Sequence, residues 1–219
     1  MTAPAVEEIS GLSRFQSLWQ RCLIAGATDA SADIHQRLVD GYNEPQRRYH
    51  TLAHIDHCLS MFDQCKSLAI NPDALEIAVW FHDIIFIPGQ PDNEALSAEL
   101  YRDLSAGVHT DQFRELVDKL IMATLHDGSS LDDNDAAYMV DIDLSSFGLP
   151  WEDFLRDSRH LREESTELSD ADYSRKQGAF RSCLLARPHF FQTDFFRQHY
   201  EQQARDNLAK YFDQLNASP

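Results

Sequence analysis

The sequence predicts an all-α fold of about nine or ten helices, and three observations carry that expectation. Apolar residues recur at three- and four-residue steps along nearly the whole chain. Two-residue alternation, the mark of a strand, is never sustained beyond a few residues. The 8 glycines and 8 prolines fall between periodic stretches and do not gather into a linker.

Phe15, Leu18, Cys22 and Leu23 mark a first helix. Ile34, Leu38, Val39 and Tyr42 mark a second, which must end before Pro45. A third carries Leu52, Ile55, Leu59 and Phe62. Asn71-Pro72 reads as a cap with proline at the first helical position, opening a fourth helix through Leu75, Ala78, Val79 and His82. The stretch IPGQPDN, Ile87 to Asn93, is expected to be a loop. Leu96, Leu100 and Leu104 follow at four-residue steps in a fifth helix.

Thr110-Asp111 starts a sixth helix with Phe113, Leu116, Val117, Leu120 and Ile121. The polar run DGSSLDDND breaks the pattern, its DDND being read as a solvated loop, and a short helix then carries Ala136, Met139 and Val140 toward Asp143. Pro150 opens a helix with Phe154 and Leu155. Another spans about Asp170 to Arg187, and Thr193 caps a last long one through Phe196, Tyr200, Leu208 and Phe212. The aromatic run TDFFRQHYEQQ reads as core packing, and Glu201 and Arg205 as an i, i+4 ion pair.

A length of 219 residues without repeats or low-complexity segments suits one domain. No uncharged run approaches a bilayer span. The opening MTAPAVEEIS has neither a basic n-region nor an apolar core, so no signal peptide and a cytoplasmic setting are expected. The formal charge of −17 argues against a duplex nucleic acid as partner, while a single nucleotide remains open because a local cluster or a metal reverses the field inside a pocket. Cys22, Cys58, Cys65 and Cys183 form no C-x-x-C pair, and Cys58 and Cys65 lie about 10 Å apart along one helix. All four are expected to be reduced and partly buried.

The chemistry lies in the histidines, 10 in all and unevenly placed. His50, His54 and His57 fall within YHTLAHIDH, where steps of four and three put neighbours on one helix face. His82-Asp83 sits in the apolar stretch WFHDIIF. A buried Asp is costly unless paired or bound to metal. His126 follows the sixth helix, and Asp141 and Asp143 sit in MVDIDLSSFG. Each feature alone is also what an ordinary core histidine or capping aspartate gives. Together, a His, an adjacent His-Asp pair and a later Asp make two imidazoles and two carboxylates. That set suits a divalent metal kept six-coordinate by water (Mn, Fe, Co, Ni or Mg), and not a thiolate-rich structural zinc site.

The ordered H…HD…D pattern on an all-α chain resembles the HD superfamily of metal-dependent phosphohydrolases, and more narrowly a bacterial HD-domain phosphohydrolase family. The likeness rests on YNEPQRRYHTLAHIDHCL, WFHDIIFIPGQPDNEALSA, IMATLHD, VDIDLSSFG and EQQARDNL, which span Tyr42 to Leu208. It implies an HD-type helical bundle with a metal-site core at about 42–148 and the helices of 150–216 packed on it. It implies metal ligands His54, His82, Asp83 and Asp143, with His50 as the alternate first histidine. The IDL segment resembles the family's Ala-Asp-Arg-Leu, but the Arg is missing and Gly148 comes a residue early, which leaves Asp141 against Asp143 open.

The resemblance also makes Glu94 a candidate general acid or base beside Asp83, and lets His50 and His126 serve a second metal or a substrate phosphate. Arg47 and Arg48 are candidates for clamping an anionic substrate, since guanidinium forks onto phosphate oxygens. Thr124 faces either core or substrate. The expected activity is hydrolysis of a small phosphorylated metabolite, such as a nucleotide, by metal-activated water. Two alternatives are a di-iron oxygenase on the same scaffold, sustained by His50 and His126, and a non-catalytic metal- or nucleotide-binding protein. A homodimer is a base-rate expectation only.

Overall fold

The computed structural model describes residues 4–126 and 133–217. Among them are ten α-helices, three short 3-10 turns and no strand. The helices are α1 (Pro4–Cys22), α2 (Ser31–Tyr42), α3 (Leu52–Cys65), α4 (Pro72–Phe81), α5 (Asn93–Ser105), α6 (Asp111–Met122), α7 (Asn134–Asp143), α8 (Trp151–Glu164), α9 (Asp170–Ala186) and α10 (Asp194–Ala217). The all-α expectation holds, and Thr110 and Thr193 accept the backbone N–H groups of Phe113 and Phe196 as expected of caps.

Helix α4 is the hub. Every residue from Ala74 to Phe81 is buried, as a helix apolar on all sides requires. It packs against α1, α3, α5, α6 and α7. Its one charge besides Asp73, Glu76, is matched by Arg14 Nε at 2.6 Å. Tyr42 at the end of α2 donates to Trp80 O at 2.9 Å, locking that end beside the turn that follows α4. On the other side, α10 packs on the 3-10 segment Leu144–Gly148. A Cβ on Gly148 would lie 2.8 Å from Tyr200 Cβ, so this approach needs glycine. Asn207 Nδ2 donates to Phe147 O and Leu149 O, both at 2.8 Å, which ties α10 to the same segment.

Several sequence expectations are corrected. Leu23 lies past the end of α1, and His82 is the residue just beyond α4. Asn71 stands at the N-cap position of α4 with Pro72 first in the helix, as expected, but its side chain makes no capping bond. Instead Ile70 N and Asn71 N donate to Asp135 at 2.8 and 2.7 Å. Asp135 is therefore not part of a solvated loop but fully buried, because its carboxylate serves two backbone donors of another segment. Asp133 caps α7, and Asp132 lies outside the described residues. Of the free cysteines, Cys58 and Cys65 are buried, Cys22 is half-buried, and Cys183 is exposed against expectation. Among the described residues, no helix is long and apolar enough to cross a membrane.

Candidate metal centre

Three helix ends meet beside α4. His54 lies in the first turn of α3, His82 and Asp83 follow the last turn of α4, and Asp143 is the last residue of α7. His54 Nε2 lies 3.3 Å from His82 Nε2, 3.3 Å from Asp143 Oδ1 and 3.5 Å from Asp83 Oδ2. His82 Nε2 lies 3.0 Å from Asp83 Oδ2 and 3.5 Å from Asp143 Oδ1. Donors at about 2.1 Å from one ion are about 3.0 Å apart at right angles and about 3.4 Å apart in a tetrahedron. The five separations, each involving an imidazole nitrogen, are of that size. His82 Nδ1 is 3.0 Å from Val79 O, a bond that fixes the proton there and presents Nε2 to the cluster.

The electrostatics are those of a site that neutralises two positive charges. Burial disfavours an imidazolium at His82, yet the Asp83 and Asp143 carboxylates outweigh it and hold its pKa well above 6.5. Burial likewise raises Asp83 and Asp143, and the surrounding imidazoles hold both well below the usual carboxylate range. Two protons on the imidazoles or one divalent cation balance the pair of carboxylates equally.

Cys58 joins the cluster and escaped the sequence reading. Its Sγ is 3.6 Å from His54 Nε2, and Sγ, both imidazoles and Asp143 offer ligand atoms within 4.8 Å of one another. The signal was present in the spacing, since His54 and Cys58 are four apart and share a face of α3. The thiol also points to Ile142 O at 3.9 Å.

The choice between aspartates is resolved by helix geometry. Two residues along a helix turn about 200°, so Asp141 and Asp143 face opposite ways. Asp141 accepts from Gln192 N and Thr193 N at 2.7 Å and from Thr193 Oγ1 at 2.8 Å, holding the start of α10. It is a structural anchor and not a ligand alternate.

Arg47 is not a substrate clamp. It is buried and donates to His50 O, Asp83 O and Ile84 O at 2.8–2.9 Å, because the carbonyls past α4 need donors. Thr124 faces the core and donates to Ile121 O. His50 Nδ1 lies 2.6 Å from Glu164, so His50 is held outside the four-donor cage. His126 is the one described non-glycine residue with positive φ, 51°. That left-handed turn sets its Nε2 2.8 Å from Asp143 Oδ2, where it steadies the ligand.

No family model, curated protein or solved structure matches this chain. The site is therefore read from its own geometry.

Glu94, in the first turn of α5, is half-buried. Burial raises its pKa, and the Asp83 and Asp143 carboxylates add to the rise. Glu164 went unnoticed in the sequence. It is fully buried, and its Oε1 accepts from the backbone N–H groups of Arg48, Tyr49 and His50 at 2.6, 2.8 and 3.0 Å. A glutamate ending a polar helix gives no sequence cue to that role. A cavity of about 310 Å³ adjoins His54 and is lined in part by Arg48, His57, Arg156 and His160.

Proposed function

We propose that this chain is a metal-dependent phosphohydrolase of the HD type, acting on a small phosphorylated metabolite such as a nucleotide. The observation that carries the reading is the pair of imidazole nitrogens, His54 Nε2 and His82 Nε2, 3.3 Å apart and each 3.0–3.5 Å from a carboxylate oxygen of Asp83 and of Asp143. Mixed nitrogen and oxygen donors of this kind suit Mn, Co, Ni, Fe or Mg. His54, His82, Asp83 and Asp143 would hold a divalent metal, which when bound would supply a water of lowered pKa and positive charge for the phosphoryl oxygens.

The remaining work falls to the chain's own groups. Val79 O fixes the His82 tautomer, and His126 orients Asp143. Glu94, its pKa raised by burial and by the Asp83 and Asp143 carboxylates, is the candidate group for proton transfer to the leaving-group oxygen. His126 commits Nε2 to Asp143 and His50 commits Nδ1 to Glu164. That favours one metal over two, and hydrolysis over the di-iron oxygenase.

The test is metal content per chain, on protein purified without added metal, in wild type and His82→Ala. About one metal in the wild type and none in the variant is expected, together with phosphate release from one or more nucleotides when Mn, Co, Ni and Mg are screened. Two iron atoms per chain with oxygen consumption would move the assignment to an oxygenase. No metal taken up on reconstitution would overturn the enzyme reading.

A further inference from the structure

The cavity beside His54 has a charge opposite to that of the molecule. In a chain of formal charge −17, the fixed charges of its lining are two arginines, Arg48 and Arg156, and a single carboxylate, Asp157. Arg156 is paired with Asp153 and Asp157 at 2.6 and 3.0 Å. Among the described residues Arg48 has no such partner. Its Nη1 reaches only the carbonyls of Pro45 and Arg47, at 2.7 Å, so its charge is uncompensated at the rim.

Two further features raise the potential there. Thr51 and Ala53 line the cavity, so it opens onto the amino end of the 14-residue helix α3. The Thr51 side chain makes no capping bond, which leaves that partial positive charge facing the space. The second feature is Arg181, a fully buried guanidinium. It touches Ser158 Oγ at 3.2 Å and lies over the Tyr211 ring at 4.2 Å, while Nε and Nη1 have no hydrogen-bond partner among the described residues. Arg181 borders a void of about 10 Å³ together with Ser146 and Asp157. Ser146 and Asp157 are also walls of the larger cavity. A buried cation with two unbonded nitrogens among the described residues therefore shares Ser146 and Asp157 as neighbours with the cavity, which adds positive potential on that side.

We propose that this cavity is an anion subsite that binds a second phosphate-class group of the substrate, next to the one processed at the metal centre. The inference rests on the phosphohydrolase reading for the word substrate, and on the cavity alone for the binding of an anion. His54 belongs to both spaces, so one ligand can engage the metal centre and the cavity together. The preferred substrate class is then a small metabolite with two anionic groups, such as a bisphosphate or a nucleoside diphosphate, over its monoanionic counterpart. A volume of about 310 Å³ holds a phosphate with part of a sugar.

The experiment is calorimetric titration of the full-length protein as purified with inorganic phosphate, in wild type, Arg48→Ala, Arg156→Ala and His82→Ala. Glucose 1,6-bisphosphate and glucose 1-phosphate are titrated into the same four proteins. Phosphate is expected to bind the wild type and His82→Ala within threefold of each other, and to bind both arginine variants at least tenfold more weakly. The bisphosphate is expected to bind the wild type at least tenfold more tightly than the monophosphate, with that ratio collapsing in each arginine variant. Phosphate binding lost in His82→Ala and kept in the arginine variants would place the anion on the metal alone and overturn the proposal. No phosphate binding by folded wild type would overturn it too. Equal affinity for the two sugar phosphates would remove the shared-ligand claim. Arginine-dependent phosphate binding without turnover of any nucleotide would leave the subsite standing and remove the hydrolase reading.

Discussion

Replacing Glu164 by alanine removes the acceptor for four donors at once. Three are the backbone N–H groups of residues 48–50, and the fourth is His50 Nδ1 at 2.6 Å. Hydrogen bonds to a charged group contribute about 1.5–3 kcal/mol each, so the gross loss is about 6–12 kcal/mol. The segment that donates is only partly covered: Arg48 is exposed, while Tyr49 and His50 are half-buried. Water reaches part of it once the carboxylate is gone, and a net cost of about 3–5 kcal/mol follows, the range found when one partner of a buried pair is deleted. For a chain of this size that is a fall in Tm of about 10 °C.

Glu164→Gln separates charge from shape. It keeps one oxygen for the backbone donors but sets an amide against His50, and about 1.5–3 kcal/mol of loss is expected. The His50 and backbone contacts hold the Glu164 pKa below 4.5, against the raising effect of burial. Its contribution is therefore fully present above about pH 4.5 and is lost as pH falls through the lower folded-state value. Urea unfolding of wild type and both variants at pH 7 and at pH 4 measures all of this. An alanine variant within 1 kcal/mol of wild type at pH 7 would refute the clamp.

The two aspartates of α7 should separate cleanly. Asp143→Asn is expected to lower metal occupancy at least tenfold, whereas Asp141→Asn keeps the metal and loses about 1–2 kcal/mol of stability from the α10 anchor. Metal content and urea melts on both variants decide it, and equal metal loss would sink the assignment. His109 supplies a pH dependence away from the site. Burial, aided by Arg114, pulls its pKa down to about 4 from 6.5. A depressed histidine contributes stability that is complete above about pH 6.5 and is lost as pH falls toward about 4, in total about 3 kcal/mol. His109→Phe should flatten the wild-type stability profile by that amount, and an unchanged slope between pH 6.5 and 4 would contradict it.

Much of this architecture was legible because helices announce themselves by period and punctuation. The buried stripe of α4, the caps Thr110 and Thr193 and the halt before Pro45 all follow from local rules. What a local rule cannot report is where a side chain goes once its helix has ended. Asn71 has the residue type of a cap, yet its backbone is served by Asp135, a residue 64 positions away. Arg47 and Arg48 look interchangeable in sequence. One is buried among the carbonyls past α4, and the other opens onto a cavity. Cys58 was readable from its four-residue step after His54, which puts both on one face of α3.

The placement of the four candidate ligand residues explains which parts were legible and which were not. His54 starts a helix, His82 and Asp83 follow one, and Asp143 ends one. Helix ends are where backbone groups lack partners, so each end here carries a long-range side-chain clamp. Arg47 holds the carbonyls after α4, Glu164 holds the amides just before α3, and Asn207 holds the carbonyls of the segment after α7. The ligand types and their order were visible because they sit at recognisable boundaries. The clamps come from 36 residues away and more, and they hold the helix ends from which the candidate ligands project. The clamps are thus as much a part of the site as the ligands. A clamp variant that stays folded should loosen metal binding without touching a single ligand.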